Sequence, residues 1–89
     1  MDLVPSYLVE TFLPRGATGG RESGSASSAA ETLTREGTRV RFGGSIHVPE
    51  DEICFFTFEA PSGREAALAA QRAGIEPIRV VEAISSGKE

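Results

Sequence analysis

The sequence predicts an α+β domain whose elements follow the order strand, helix, strand, strand, helix, strand. Apolar and polar residues alternate in four segments, as they do in half-buried strands. In two other segments the apolar residues recur at intervals of three and four, which is typical of a helix face. The chain has 89 residues, the length of one domain. We therefore expect residues 1–89 to form a single domain with a core over about residues 6–84.

The first strand is predicted over residues 6–13, which read SYLVETFL. Leu8, Glu10 and Phe12 fall on one face of this strand, so a carboxylate lies between two apolar side chains. The proline and glycine at positions 14–16 end the strand.

The first helix is predicted to follow a flexible loop at residues 16–24, which is rich in glycine, serine and alanine. Its apolar face consists of Ala26, Ala29, Ala30 and Leu33. Gly37 is placed to end the helix. Because this face is mostly alanine, the helix buries little area and is expected to pack either closely or weakly.

The second and third strands are predicted over residues 38–48 and 53–60, joined by an acidic turn at residues 49–52. Strict alternation would place one set of side chains of the second strand on a common face: Val40, Phe42, Gly44, Ile46 and Val48. The pair Gly43-Gly44 within this strand indicates a bulge, a bend or the close approach of a ligand.

The second helix starts at a capping box formed by Ser62 and Glu65, and Gly74 ends it. The last strand is predicted over residues 77–84. This order is the split β-α-β arrangement of the ferredoxin-like fold, βαββαβ, a four-stranded antiparallel sheet with two helices on one face. The uncovered face is expected to pair with a second copy, which gives a homodimer with the architecture of a dimeric α+β barrel.

Composition excludes several classes of protein. The net charge of -4 and the isoelectric point near 5.0 argue against binding to nucleic acid or to an anionic membrane surface. No apolar run approaches the roughly 18 residues of a membrane span, and the N-terminus does not resemble a signal peptide. We therefore expect a cytoplasmic protein. Cys54 is the only cysteine, which excludes an internal disulfide and favours a packing role for its side chain.

Polar side chains within apolar strands are the candidate site residues. We expect Glu10, Thr57 and Glu82 to share the face that the helices leave open. Buried carboxylates are costly unless they are paired, protonated or bound to a metal, so these residues are candidates for binding a metal or small ligand. The alternative is structural pairing of the carboxylates with nearby arginines, namely Arg39, Arg41 or Arg79.

Two further groups have both a functional and a plainer interpretation. His47 is the only histidine, and its imidazole could bind nickel, zinc or copper beside the acidic turn, or could simply be exposed. Arg39 and Arg41 could bind an anionic ligand, or could form a solvated strand face. No phosphate-binding loop, dinucleotide fingerprint or nucleophile elbow is present.

Three stretches, residues 7–12 (YLVETF), 55–62 (FFTFEAPS) and 72–82 (RAGIEPIRVVE), together resemble the small nickel-binding-protein family. The resemblance implies a ferredoxin-like fold, a dimeric α+β barrel and, in at least one member, bound nickel. Members usually carry a His-Ser-Tyr-like segment late in the second strand. This chain has the sequence GSIH at positions 44–47, so His47 is displaced unless a bulge restores it. Glu10 and Glu82 match the family's polar positions most directly.

Three hypotheses follow. The leading one is a non-enzymatic dimeric barrel that binds nickel, another metal ion or a small ligand through Glu10, His47, Glu82 and Thr57. The second, by analogy of fold alone, is a cofactor-free enzyme of the monooxygenase, isomerase or cyclase type, with Glu10 or His47 as a base. The third is a structural domain that uses its apolar sheet face only to dimerise.

Overall fold

The computed structural model describes residues 4–84, which form four strands and two helices. In chain order they are β1 (Ser6–Phe12), α1 (Gly20–Arg35), β2 (Arg41–Val48), β3 (Ile53–Glu59), α2 (Gly63–Arg72) and β4 (Arg79–Ala83). A single 3-10 turn at Pro49–Asp51 joins β2 to β3. The predicted order of elements is confirmed.

The strands form one antiparallel sheet in the order β2-β3-β1-β4. Both helices pack on the same face of this sheet, because the buried residues of α1 and α2 belong to one cluster with those of the strands. The result is a ferredoxin-like α+β fold, as the sequence predicts. We call the two sides of the sheet the helix-covered face and the helix-free face.

The core lies between the helices and the sheet, and the sheet supplies most of its volume. Phe56 and Phe58 of β3 are fully buried, and the ring of Phe42 packs against both, with centroids 6.3 and 5.5 Å away. The helices contribute mainly alanines, of which Ala26, Ala29, Ala30, Ala66, Ala69 and Ala70 are buried. Short side chains on the helices leave room for the aromatic rings below them.

The start of α1 differs from the prediction. The helix begins at Gly20, so residues 20–24 are helical and the predicted flexible loop is wrong for them. Gly19 adopts a left-handed conformation with φ of 77°, and its carbonyl accepts a hydrogen bond from the Ser23 amide at 2.9 Å. The Ser23 hydroxyl also lies 3.2 Å from that of Ser45 on β2. The helix therefore forms here despite the weak helix propensity of glycine and serine.

The position at which α2 starts agrees with the prediction, but the hydrogen bonds that cap it differ. Ser62 is the residue before the first turn, and its hydroxyl donates a hydrogen bond to the Glu65 carboxylate. This bond lowers the pKa of Glu65. The Ser62 side chain makes no capping bond to the helix backbone, and Glu65 bonds the Ser62 hydroxyl rather than its amide, so the predicted reciprocal capping box is wrong.

The predicted bulge at Gly43-Gly44 is confirmed. Phe42 pairs with Phe58, whereas Gly44 pairs with Thr57, so one extra residue of β2 is inserted between these two pairs. Gly44 has φ of 122°, a conformation that residues with side chains rarely adopt.

The extra residue reverses the faces of the second half of β2. Ile46 pairs with Phe55 and therefore lies on the helix-free face, where it is 58% exposed. His47 pairs with Cys54 and lies on the helix-covered face. The prediction that Phe42 and Ile46 share a face is wrong for this reason.

Candidate functional site

The helix-free face is mostly apolar and is organised in rows across the sheet. The central row contains Ile46, Phe55, Glu10 and Arg79. The rows on either side of it add further apolar side chains, namely Leu8, Phe12, Val48, Ile53 and Val81. Phe12 and Ile46 are each 58% exposed. No described residue covers this surface, which is the feature expected of a sheet face that meets a partner.

Glu10 is the carboxylate in the centre of this face, as predicted. Its side chain is only 16% exposed, and its Oε1 atom lies 3.2 Å from Nε of Arg79, whose side chain is 65% exposed. The backbone holds the pair in place, because the Ile78 amide donates to the Glu10 carbonyl at 2.7 Å just before β4 begins. Structural pairing of Glu10 with an arginine is therefore confirmed, and the carboxylate is sheltered among apolar neighbours.

Thr57 and Gly44 contribute little side-chain volume to the same face. They pair with each other across β2 and β3, and Leu8 and Val81 continue their row. A Cβ atom added to Gly44 would meet nothing within 4 Å. Gly44 has no side chain and Thr57 a small one, so this part of the row carries less side-chain volume than Leu8 and Val81 do. The prediction that Thr57 and Glu10 share a face is confirmed.

Glu82 lies elsewhere. It pairs with Tyr7, on the helix-covered side of the sheet, and it is exposed. The prediction rested on Val80 lying beside Leu8, whereas the observed register pairs Val81 with Leu8. The placement of Glu82 on the helix-free face is therefore wrong by one residue of register.

His47 does not reach Glu10 either. The two lie on opposite faces, and the Nε2 atom of His47 is buried without a hydrogen-bond partner among residues 4–84. Within that part of the chain, no group of three or more histidine, cysteine, aspartate or glutamate residues could hold a metal ion. Glu10, His47 and Glu82 thus do not fit a nickel site assembled within one copy.

Cys54 lies opposite His47 on β3 and is almost fully buried. Burial raises the pKa of its thiol, and the carboxylate of Glu22 raises it further, while a hydrogen bond with Ser45 acts in the opposite direction. A nucleophilic cysteine requires the thiolate, which this environment disfavours. The packing role predicted for Cys54 agrees with this environment.

We expect Cys54 to react slowly with iodoacetamide at about pH 8. The rate should be at least about tenfold lower in the native protein than in urea, because the reaction requires local opening of the fold and deprotonation of the thiol. The raised pKa of Cys54 also makes the free energy of unfolding depend on pH. Its contribution to stability is fully present while the thiol of the unfolded chain is protonated, and it is lost as the pH rises through the raised pKa. Mass spectrometry of quenched samples measures the rate. Equal rates in the native and unfolded states would contradict the burial of this thiol.

The predicted anion-binding residues Arg39 and Arg41 line one groove beside β2, with a volume of about 520 Å³. Arg35, at the end of α1, lines the same groove and was not among the candidates. The sequence did carry a signal for it, because an arginine in the last turn of a helix lies near the strand that follows a short connection.

Comparison with known proteins gives no relative. The chain matches no family model, and no curated protein or solved structure is significantly similar to it. The resemblance to the small nickel-binding-protein family therefore stays a prediction. Among residues 4–84, no helix is both long and apolar enough to cross a membrane.

Proposed function

We propose that this protein is a small binding protein that works as a homodimer, in which two helix-free faces meet and enclose a small ligand. The supporting observation is the uncovered apolar face with one sheltered carboxylate, Glu10, at its centre. This geometry favours binding over a purely structural dimer, because the sheltered carboxylate offers a ligand a polar contact that the pairing of apolar faces alone does not require.

The charge distribution of the face supports a second copy as the partner. The whole chain carries a net charge of -4, so two copies repel each other at long range. On this face, however, Glu10 is paired with Arg79, and Arg41 lies 3.9 Å from Glu59. A face whose charges are balanced within the same chain can meet an identical face around a two-fold axis without needing an oppositely charged partner.

The size of the face sets a second condition. Four strands about 4.8 Å apart and about seven residues long cover roughly 19 by 23 Å, a flat footprint of roughly 440 Å². The accessible area is larger because side chains stand out from the sheet, and a stable interface buries about 800 Å² on each partner. The dimer therefore needs the whole face, including Phe12 and Ile46, which are each 58% exposed.

The ligand would occupy the space above Gly44 and Thr57. When two such faces meet, the larger side chains of Phe55 and Ile46 would touch first, and a gap would remain at these two residues. Glu10 borders this gap and offers a negative charge, while the Thr57 hydroxyl offers a donor or an acceptor. These groups favour a small, partly apolar molecule that carries a hydrogen-bond donor or a positive charge. A nickel ion would have to be held by the Glu10 carboxylates of both copies.

Substitution of Phe55 by aspartate tests the dimer. Two unpaired carboxylates would then be buried at the centre of the interface, so we expect Phe55→Asp to weaken dimerisation at least about tenfold. The matched control is Gln71→Asp, which adds the same charge on the exposed side of α2. Sedimentation velocity over a range of concentrations measures both. A monomeric parent protein, or a Phe55→Asp variant as dimeric as Gln71→Asp, would reject the proposal.

The same preparations separate metal from organic ligands. Calorimetric titration with nickel chloride should give heat that is lost in Glu10→Gln if the two carboxylates bind the ion. Absence of heat in a dimeric parent would reject nickel and leave an organic ligand. Native mass spectrometry of the dimer, before and after denaturation, would then reveal any small molecule that copurifies with it.

A further inference from the structure

We infer that the groove between the end of α1 and β2, here called the arginine groove, binds an organic anion with an apolar body. Its lining includes Ala30, Arg35, Arg39, Val40, Arg41 and Phe42. Apart from Arg41, which also belongs to the helix-free face, these residues lie outside that face, so the site does not depend on the ligand space of the dimer proposed above.

The floor of the arginine groove is apolar and fixed. Ala30 and Val40 are buried, and Phe42 is half-buried with one side of its ring packed on Phe58 at 5.5 Å. The Thr34 hydroxyl donates to the Val40 carbonyl at 2.8 Å and lies 3.2 Å from the Val40 amide, from which it accepts. These two bonds tie the last turn of α1 to the residue just before β2, and they hold the two sides of the groove together.

The charged groups of the groove are poorly neutralised. Within residues 4–84, neither Arg35 nor Arg39 has a carboxylate within 4 Å, and Arg35 donates only to the Thr32 hydroxyl at 3.3 Å. Arg41 is weakly paired, because its side chain is 80% exposed and lies 3.9 Å from the Glu59 carboxylate. One carboxylate, that of Glu31, belongs to the lining. Because the chain has 13 acidic and 9 basic residues, a surplus of arginine does not explain this cluster.

These features define the chemical class of the ligand. A guanidinium group presents paired donors that match the oxygen atoms of a carboxylate or phosphate. The apolar floor would contact an aromatic or aliphatic body. A volume of about 520 Å³ lies within the range of roughly 300–1,000 Å³ that is usual for small-molecule sites.

An extended acidic peptide is the competing occupant, because β2 is an edge strand. The bulge at Gly43-Gly44 interrupts the strand directly after Phe42. A bulge disturbs the regular ladder that an added strand needs, and edge strands use it to prevent such pairing. The structure therefore favours a small anion over strand addition.

Titration of the uniformly ¹⁵N-labelled full chain with phenyl phosphate tests this site by nuclear magnetic resonance. We expect saturable shifts of the amide signals of Ala30, Thr34, Val40 and Phe42, with a dissociation constant of about 1–10 mM, as suits so small a probe. Inorganic phosphate should bind at least about threefold more weakly, since it lacks the apolar body. Benzyl alcohol, which lacks the charge, should leave these signals in place.

Variants show whether the arginines carry the binding. Arg39→Gln and Arg35→Gln should each weaken phenyl phosphate binding at least about fivefold, and Arg41→Gln should have a smaller effect. The control is Arg64→Gln on the exposed side of α2, which should bind as the parent does. The inference is overturned if phenyl phosphate shifts none of these signals, if Arg64→Gln weakens binding as much as Arg39→Gln, or if benzyl alcohol binds equally well. Shifts along all of β2 with an acidic peptide, and none with phenyl phosphate, would assign the groove to strand addition instead.

Discussion

Replacement of Phe56 by alanine should lower the free energy of unfolding by about 3–5 kcal/mol. Phe56 is fully buried in β3, which lies between two other strands, and the ring of Phe42 packs against it. The helices above it present alanines, whose side chains are too short to fill the cavity. Domains are stable by only about 5–15 kcal/mol, so this single change should leave the protein close to unfolding.

The matched control is Phe12→Ala, since Phe12 also belongs to the sheet but is 58% exposed. We expect it to cost less than about 1 kcal/mol in the monomer. Urea denaturation should be followed at protein concentrations low enough to separate the copies, because Phe12 lies on the proposed dimer face. Equal losses for the two variants would show that the core does not lie where the helices cover the sheet.

Leu33→Ala is expected to cost about 2–4 kcal/mol and to loosen α1 first. Leu33 is the only large side chain among the four buried residues of α1, the other three being alanines. Its carbonyl also accepts bonds from the amides of Glu36 and Thr38, at 3.1 and 2.9 Å, where the helix ends. Without this side chain the helix has little apolar area with which to hold the sheet.

Hydrogen exchange measured residue by residue can detect the local effect. In Leu33→Ala the amides of α1 should exchange faster by a larger factor than those of β3. Leu68→Ala removes the same atoms from α2 at a partly buried position and should cost less. Two results would contradict the idea that Leu33 alone holds α1 on the sheet. One is a loss of stability in Leu68→Ala as large as that in Leu33→Ala, and the other is an equal increase in the exchange rates of α1 and β3.

The fold was predictable because its signals are local. Alternation defined four strands, spacing defined two helices, and the order of these elements restricts the topology to few arrangements. The helix-free position of Glu10 and Thr57 followed from the same alternation and is confirmed. Pairing of Glu10 with an arginine was also foreseen as the structural alternative.

The errors arise where pairing between distant segments decides the outcome. Whether Val80 or Val81 lies beside Leu8 depends on the register of β4 against β1, and local pattern does not determine this register. The first turns of α1 are rich in glycine and serine, which favour helices only weakly, so the local sequence does not reveal that the helix begins at Gly20. Arg35, by contrast, is close in sequence to the other arginines, and the bonds between Thr34 and the backbone of Val40 keep this short connection compact.

The two glycines of β2 have a consequence for any alignment with other βαββαβ proteins. Since a single inserted residue exchanges the inward and outward sets of side chains, positions after Gly43 correspond to those one place earlier in an unbulged homologous strand. A sequence alignment without a gap at this position would equate His47 with a residue whose side chain lies on the other face of the sheet. Correct superposition must open that gap, and only then do the equivalent ligands or contacts of a related protein coincide with residues 44–48 of this one.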